Sequence, residues 1–237
     1  MANSTEGMNW KAGITSYQLK WIAIVTMVID HMGAILYPTE MAFRYIGRIS
    51  FPIFCFLLIE GFFHTRNIFK YMARLGAFAL ISEIPYDLAF KGKVLEFTHQ
   101  NVFFTLFLGV LMMYVLEKGG EWPQKAVEVL LVMWLAEMLH TDYGFRGILL
   151  AFIFYKLRNF RWTKLGCGAA WNLIWNRSLQ GYGAFAMIPI ALYNGSRGRK
   201  MKYFFYIFYP AQMCIRDRSD TDQVRRISDV QFCQCNR

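Results

Sequence analysis

An aspartate and a histidine, Asp30 and His31, stand next to each other inside a long apolar segment, residues 19–38. A segment of this length is sufficient to cross a bilayer. A carboxylate in hydrocarbon costs about 2.5–3.5 kcal/mol on insertion scales, so it is kept only where it faces a protein interior, a water-filled cavity or a partner. Histidine exchanges protons near neutral pH. An acid and an imidazole at membrane depth therefore predict a functional site.

Helical geometry predicts that these two residues have separate partners. Adjacent residues do not face each other on a helix, so Asp30 is poorly placed to orient His31 directly. Two arginines, Arg44 and Arg48, follow at the mouth of the second predicted span. We expect either one to neutralise Asp30, because an opposite charge nearby favours the ionised carboxylate.

Further polar residues fall in segments that we expect at the same, outer side of the membrane. Glu83 and Asp87 are four residues apart, so on a regular helix they share a face and repel. Pro85 between them is expected to distort that turn. Loop segments after the third and fifth spans add two histidines and an aspartate. The predicted outer group is Asp30, His31, Arg48, Glu83, Asp87, His99, Asn101, His140 and Asp142.

A smaller group lies where the second span is expected to reach the cytoplasm. Glu60 and His64 are at i, i+4, so the carboxylate can hold the imidazole in one orientation. Arg66, Lys70 and Arg74 follow and can meet an anionic ligand. Basic residues at the inner end of a span are also ordinary topology signals, and the sequence favours that interpretation.

The composition is typical of a membrane protein, and the polar residues named above lie within or next to its apolar segments. Of 237 residues, 56% are hydrophobic and 18% aromatic, and the mean hydropathy is positive, which is unusual for a soluble domain. Recurring apolar segments with short loops predict an all-α fold, a polytopic transmembrane bundle of about eight or nine spans. The predicted spans lie near 21–37, 46–63, 71–90, 102–116, 126–139, 147–157, 165–175 and 184–193, with a last one from 201.

Lysine and arginine are concentrated in alternate loops. Fifteen fall in the N-terminal segment and the even-numbered loops, against six in the odd-numbered loops. The positive-inside rule then predicts a multi-pass membrane protein with a cytoplasmic N-terminus, a location that the family resemblance described below narrows to the bacterial inner membrane. Topology thus accounts for most of the net charge of +10, and we expect the lipid bilayer as a partner and no nucleic acid.

The chain is predicted to have three regions. A polar cytoplasmic segment, 1–18, precedes a transmembrane domain, 19–212, and a polar tail, 213–237. The apolar pattern stops just after the last span has begun, so we expect that span to be truncated. The tail is charged and without amphipathic period, which predicts disorder or an artefact of sequence assembly. Its pair Cys233-x-Cys235 lacks a second ligand pair, and we predict no metal site.

A set of motifs, taken in order, resembles the TraX family. The motifs are Leu19-Lys20, Ile29-Asp-His-Met-Gly33, Gly47-Arg-Ile-Ser-Phe-Pro-Ile-Phe54, Glu60-Gly-Phe-Phe-His-Thr-Arg66, Arg74-Leu75, Ser82-Glu-Ile-Pro85, Asn101-Val-Phe-Phe-Thr105, Asp142-Tyr-Gly144 and Tyr206-Ile-Phe-Tyr-Pro210. The resemblance covers residues 19 to about 211. In the family pattern the last helix begins Tyr-Pro-x-His, whereas this chain has Gln212 at the histidine position.

The resemblance implies an integral membrane acetyltransferase that uses cytoplasmic acetyl-CoA. The family is named for the conjugation protein that N-acetylates F-type pilin. The implied acceptor is therefore an amine or hydroxyl, at a pilin N-terminus or on another cell-surface protein or glycan. In this hypothesis His31 is the general base, and Asp30 stabilises the imidazolium or holds the acceptor.

The same hypothesis gives roles to the remaining polar residues. Arg48 balances Asp30, and Asn101 polarises the acetyl carbonyl. His64, next to Glu60, is the alternative base or an acetyl relay. The CoA phosphates are assigned to Arg66, Lys70 and Arg74. Additional charge partners or acceptor contacts are assigned to Glu83, Asp87 and Asp142.

Two other functional classes stay open from sequence. A proton-coupled transporter also buries Asp and His at helix centres. A non-catalytic membrane scaffold would tolerate Asp30→Asn and His31→Gln with effects on stability alone.

Overall fold

The computed structural model describes residues 13–37, 39–91, 99–176, 178–199 and 208, with the backbone alone described at 35 and 88–91. Over this part the chain is helical, and its β structure is limited to two single-residue bridges. The all-α class is therefore confirmed for the described residues. Most of the predicted N-terminal region, nearly all of the last span and the tail at 213–237 lie outside them.

The helices match the predicted apolar segments closely. Predicted spans two and eight each correspond to two consecutive helical segments, and spans one and three to seven to one helix apiece. In chain order the helices are α1 (Ser16–Leu36), α2 (Met41–Gly47), α3 (Ser50–Phe63), α4 (Ile68–Lys91), α5 (Val102–Glu117), α6 (Trp122–Met138), α7 (Gly144–Lys156), α8 (Arg161–Trp175), a 3₁₀ segment (Gln180–Ala186) and α9 (Met187–Ala191).

One segment of the described chain, Met41–Phe63, is long and apolar enough to cross a membrane by length and composition. It comprises α2 and α3, which follow one another across a turn at residues 48–49. α5 is apolar but shorter, and α4 carries charges along its length. The predicted eight or nine spans are therefore not established by helix length and composition, and that number stays a prediction.

The chain divides into two compact units. Unit 1 comprises residues 1–57 and 157–200, and unit 2 comprises 58–156 and 201–237. Unit 1 thus contains α1, α2, the first part of α3, α8, the 3₁₀ segment and α9. Unit 2 contains the end of α3 and α4 to α7.

In unit 1, local sequence sets both ends of α1. A capping box starts the helix: the Thr15 side chain accepts from the backbone of Gln18, and the Gln18 side chain accepts from the backbone N–H of Thr15. Near the other end, a Cβ on Gly33 would meet the Cβ of Phe43 at 2.2 Å. Glycine therefore permits the close packing of α2 on α1.

In unit 2, α5 supplies much of the buried core. Its residues Leu108, Val110, Met112 and Met113 are almost fully buried. α4 continues through Pro85 to Lys91, although proline lacks the N–H that would bond the carbonyl one turn earlier. The turn that we expected to be distorted therefore remains helical.

Candidate functional site

Asp30 lies near the C-terminal end of α1 and has only 9% of its surface exposed. Arg44 Nη1 donates to Asp30 Oδ2 at 2.8 Å, and Arg48 Nη2 donates to Oδ1 at 3.1 Å. The sequence predicted that one of the two arginines would pair with Asp30. In the structure both do, one from α2 and one from the residue that follows it. One carboxylate and two guanidinium groups carry a formal net charge of +1, so this cluster also suits a further negative charge.

Gly47 makes the room that this ion cluster needs. A Cβ at this position would meet Asp30 Oδ1 at 2.1 Å and Asp30 Cγ at 2.4 Å. Any larger residue would therefore displace the carboxylate from its two arginines. Gly47 appears in the motif comparison, but sequence reasoning gave it no role, because the need for a glycine arises from the distance between two helices.

His31 is half-buried on α1, next to Asp30 in sequence. Both carboxylate oxygens of Asp30 accept from arginine. For Asp30, the expectation of a partner on another helical segment is therefore met by α2 and the turn that follows it. The role of His31 as a general base stays a prediction.

Within unit 1, the 3₁₀ segment packs against the α2 region that carries the two arginines. Tyr182 stacks on Tyr45 of α2, with ring centroids 4.2 Å apart. A Cβ on Gly183 would lie 3.2 Å from the carbonyl oxygen of Arg48 and 2.6 Å from Asn172 Oδ1. The predicted span at 184–193 includes only the last three residues of this segment.

In unit 2, Glu83 and Asn101 form a buried carboxylate–carboxamide pair. Asn101 Nδ2 donates to Glu83 Oε2 at 2.5 Å and to the carbonyl oxygen of Ala79 at 2.8 Å. Its Oδ1 accepts from the backbone N–H of Phe103 and caps α5. Both amide hydrogens are thus used within the protein. Polarising an acetyl carbonyl, the role predicted for Asn101, would require one of these bonds to break.

The two loop segments predicted at the outer side are paired in unit 2. The backbone of Gln100 donates to the His140 carbonyl at 3.0 Å, and that of Asp142 donates to the Gln100 carbonyl at 3.0 Å. His99, His140 and Asp142 are exposed, whereas Glu83 and Asp87 on α4 are buried.

Glu60 and His64 meet differently from the prediction. His64 Nδ1 lies 2.7 Å from the backbone carbonyl of Glu60 and 3.9 Å from the nearer carboxylate oxygen. The same carbonyl also accepts from the backbone N–H of His64 at 3.2 Å. A carbonyl only accepts, so this contact assigns the hydrogen to Nδ1 and the lone pair to Nε2.

The predicted phosphate-binding residues occupy the start of α4. Arg66 and Lys70 are exposed, and Arg74 is half-buried. Lys70 and Arg74 are four apart, so they share a helix face. The N-terminal end of a helix favours anions, but nothing in the described part of the chain distinguishes an anion site here from a topology signal.

Comparison with known proteins supports the resemblance seen in the motifs. The family model described as TraX protein matches residues 15–216. A "Probable fimbrial assembly protein FimC, serogroup H1" of Dichelobacter nodosus is 29% identical over 88% of this chain and 96% of its own length. "Protein TraX" of Escherichia coli is 25% identical over 59% of this chain and 54% of its own length. No solved structure matches.

Proposed function

This chain belongs to the TraX family, and we propose that it is an integral membrane acetyltransferase acting on pilin or fimbrial subunits. The proposed donor is cytoplasmic acetyl-CoA, and the proposed acceptor is an amine or hydroxyl. A link to pilin or fimbrial assembly comes from the family match and from the relative named as a fimbrial assembly protein. Acetyl transfer is the activity implied by the sequence resemblance.

Exposed apolar faces support the multi-pass membrane location that we propose. On α6, six large apolar side chains are more than half exposed, whereas Val129, Val132 and Ala136 of the same helix are buried. Soluble monomers rarely expose apolar patches of this extent. The exposed large apolar residues of α6 are Trp122, Val127, Leu130, Leu131, Trp134 and Met138.

One observation carries the proposed chemistry: a buried carboxylate held by two arginines, with a histidine next to it on the same helix. We assign to His31 the removal of a proton from the acceptor. The acceptor nitrogen or oxygen forms a bond to the acetyl carbon, and the bond from that carbon to the CoA sulfur breaks. The excess positive charge of Arg44 and Arg48 over Asp30 would stabilise the oxyanion that forms between these steps.

Direct detection of the transferred acetyl group tests this function. Membranes containing the chain are incubated with radiolabelled acetyl-CoA and purified pilin, and the label is followed in protein, glycan and small-molecule fractions. The assay is run with the chain as it stands and with Gln212→His, which restores the residue of the family pattern. We expect label in protein for at least the Gln212→His variant. No transfer by either form would contradict the proposal.

A proton-coupled transporter is the second candidate, and the buried carboxylates of unit 2 favour it. Glu83 is 5% exposed, and Asp87 is fully buried. Buried carboxylates of this kind mark proton relays in transporters. Substrate uptake that depends on the proton gradient, without turnover of acetyl-CoA, would support this candidate instead. Arg66, Lys70 and Arg74 would then have no donor to bind.

A further inference from the structure

Unit 1 has a large excess of positive charge, and most of it lies outside the Asp30 cluster. Its described residues include eight lysines and arginines but two carboxylates, Asp30 and Glu40. Between Asp142 and Asp217 the sequence contains neither aspartate nor glutamate. Asp30 is ten residues beyond Lys20 on α1, which corresponds to about 15 Å at 1.5 Å per residue.

One of these cations is buried where burial is electrostatically unfavourable. Lys164 is 9% exposed and lies in the first turn of α8. That turn has no acidic residue and begins with Arg161. The N-terminal end of a helix carries a partial positive charge, which disfavours a cation there. Burying an ammonium group is costly unless it is hydrogen-bonded or paired, so the groups around Lys164 matter.

The surroundings of Lys164 connect it to the start of α1. Its Nζ lies 5.0 Å from the ring centroid of Phe56 and 3.5 Å from the carbonyl oxygen of Arg158. The Phe56 ring packs edge-on against Tyr193, at 5.3 Å between centroids. The hydroxyl of Tyr193 is hydrogen-bonded to that of Ser16 at 2.9 Å. A basic residue, an aromatic pair and two hydroxyl groups thus form one continuous cluster within unit 1.

Three more cations belong to segments that adjoin this cluster. Lys20 is one turn beyond Ser16, on the same face of α1. Arg197 is close enough to Lys20 for the two positive charges to interact. Arg161 donates to the carbonyl of Ala191, two residues before Tyr193. Positive groups from α1, α8 and the segment after α9 are thus located on the segments that carry this cluster.

We propose that this cluster is a binding site for a phosphate-bearing ligand. Lysine and arginine are the side chains that bind phosphate oxygens most strongly, and the hydroxyls of Ser16 and Tyr193 are suitable additional donors. The site is distinct from the exposed cations at the start of α4. The positive-inside rule places the N-terminus and the loop before α8 on the cytoplasmic side. A cytoplasmic phosphate ester or the headgroup of an anionic phospholipid supplies the same chemistry.

Titration of the purified full chain in phosphatidylcholine nanodiscs tests the site. The probes are inorganic pyrophosphate and coenzyme A, and binding is measured by calorimetry. We expect Lys164→Gln to weaken binding by roughly tenfold or more, the effect of losing a charge-assisted contact. Lys118→Gln removes an exposed lysine of unit 2 and is expected to leave binding unchanged. Equal effects of the two variants, or wild-type binding by Lys164→Gln, would overturn the site.

A second set of nanodiscs distinguishes the two sources of phosphate. These discs contain phosphatidylglycerol, and native mass spectrometry counts the lipid retained by each variant. Retention by wild type, but not by Lys164→Gln, identifies a phospholipid headgroup as the ligand. Coenzyme A binding that phosphatidylglycerol does not displace identifies a soluble phosphate ester. Failure of wild type to bind any of the three probes would overturn the proposal.

Thermal unfolding separates a binding role of Lys164 from a structural one. Because Lys164→Gln removes one of several like charges, we expect its melting temperature without anion to equal or exceed that of wild type. Pyrophosphate should then raise the melting temperature of wild type but not of the variant. Should Lys164→Gln fail to fold, Lys20→Gln is measured in the same way, and an undiminished response to pyrophosphate in that variant would overturn the site.

Assigning the ligand as the acetyl donor rests on the proposed function, whereas the phosphate site itself does not. Binding of coenzyme A without any acetyl transfer would leave the site standing and contradict the function. Acetyl transfer at the wild-type rate by Lys164→Gln, at limiting acetyl-CoA, would leave the function standing and contradict the site as the donor site.

Discussion

The ion cluster of Asp30 depends on all three of its members. Removing the carboxylate would leave Arg44 and Arg48 close together without their shared counter-charge. Breaking a buried ion pair from one side typically costs about 3–5 kcal/mol. We therefore expect Asp30→Asn to lower the free energy of unfolding by about that amount, measured by denaturant titration in detergent. Glu40→Gln, at an exposed carboxylate, is the control, and an equally small effect of both would contradict the account.

Gly47 gives a second test at the same site. The Asp30 carboxylate occupies the space that a Cβ on residue 47 would need. We expect Gly47→Ala to cost about 1–3 kcal/mol of stability, as overpacking does, and to lower acetyl transfer. Gly166→Ala on α8 is the matched control, since its Cβ would meet nothing within 4 Å. That control should stabilise by about 0.5–1 kcal/mol, and the opposite ranking would contradict the predicted crowding.

The residue types at the site were predictable, but their detailed contacts were not. An acid at membrane depth, followed by two arginines, predicted an ion pair from charge alone. The need for glycine at position 47 depends on how closely α2 approaches α1, which no spacing in the sequence specifies. His64 was expected to contact the carboxylate of Glu60, whereas the backbone carbonyl of that residue is nearer.

Among the elements, α5 depends most visibly on one capping residue. Asn101 caps this helix and donates to the buried Glu83. Asn101→Ala should cost about 1 kcal/mol for the cap and about 1–3 kcal/mol more for the hydrogen bond that the buried Glu83 carboxylate loses. Unfolding by denaturant measures the loss. A variant of normal stability with greatly reduced acetyl transfer would instead favour the role of Asn101 at the acetyl carbonyl.

Helices were predictable as elements because their apolar segments are long and bounded by charge, glycine or proline. Only the last three residues of the 3₁₀ segment fell within a predicted span, because the apolar segment begins at 184. The assembly of unit 1 from two distant parts of the chain, 1–57 and 157–200, was also beyond prediction. Long-range pairing depends on side-chain fit, which hydrophobic period does not specify.

At the scale of the whole molecule, the distribution of charge predicts the topology. The loop after α5 is expected in the cytoplasm, and the loop after α6 outside. In a cysteine-free background, Leu139→Cys should react with a membrane-impermeant maleimide in intact cells. Lys118→Cys should react only after the cells are permeabilised. Labelling of both residues from outside would contradict the predicted multi-pass arrangement.

Acetyl transfer by His31 variants tests the central claim most directly. Single-turnover transfer from radiolabelled acetyl-CoA is measured for wild type, His31→Ala and His31→Gln, each also carrying Gln212→His. A general base contributes about 10²–10⁴-fold to rate, so we predict a loss of that size in both His31 variants, with unfolding curves like those of wild type. Transfer at the wild-type rate by well-folded His31→Ala would contradict the account.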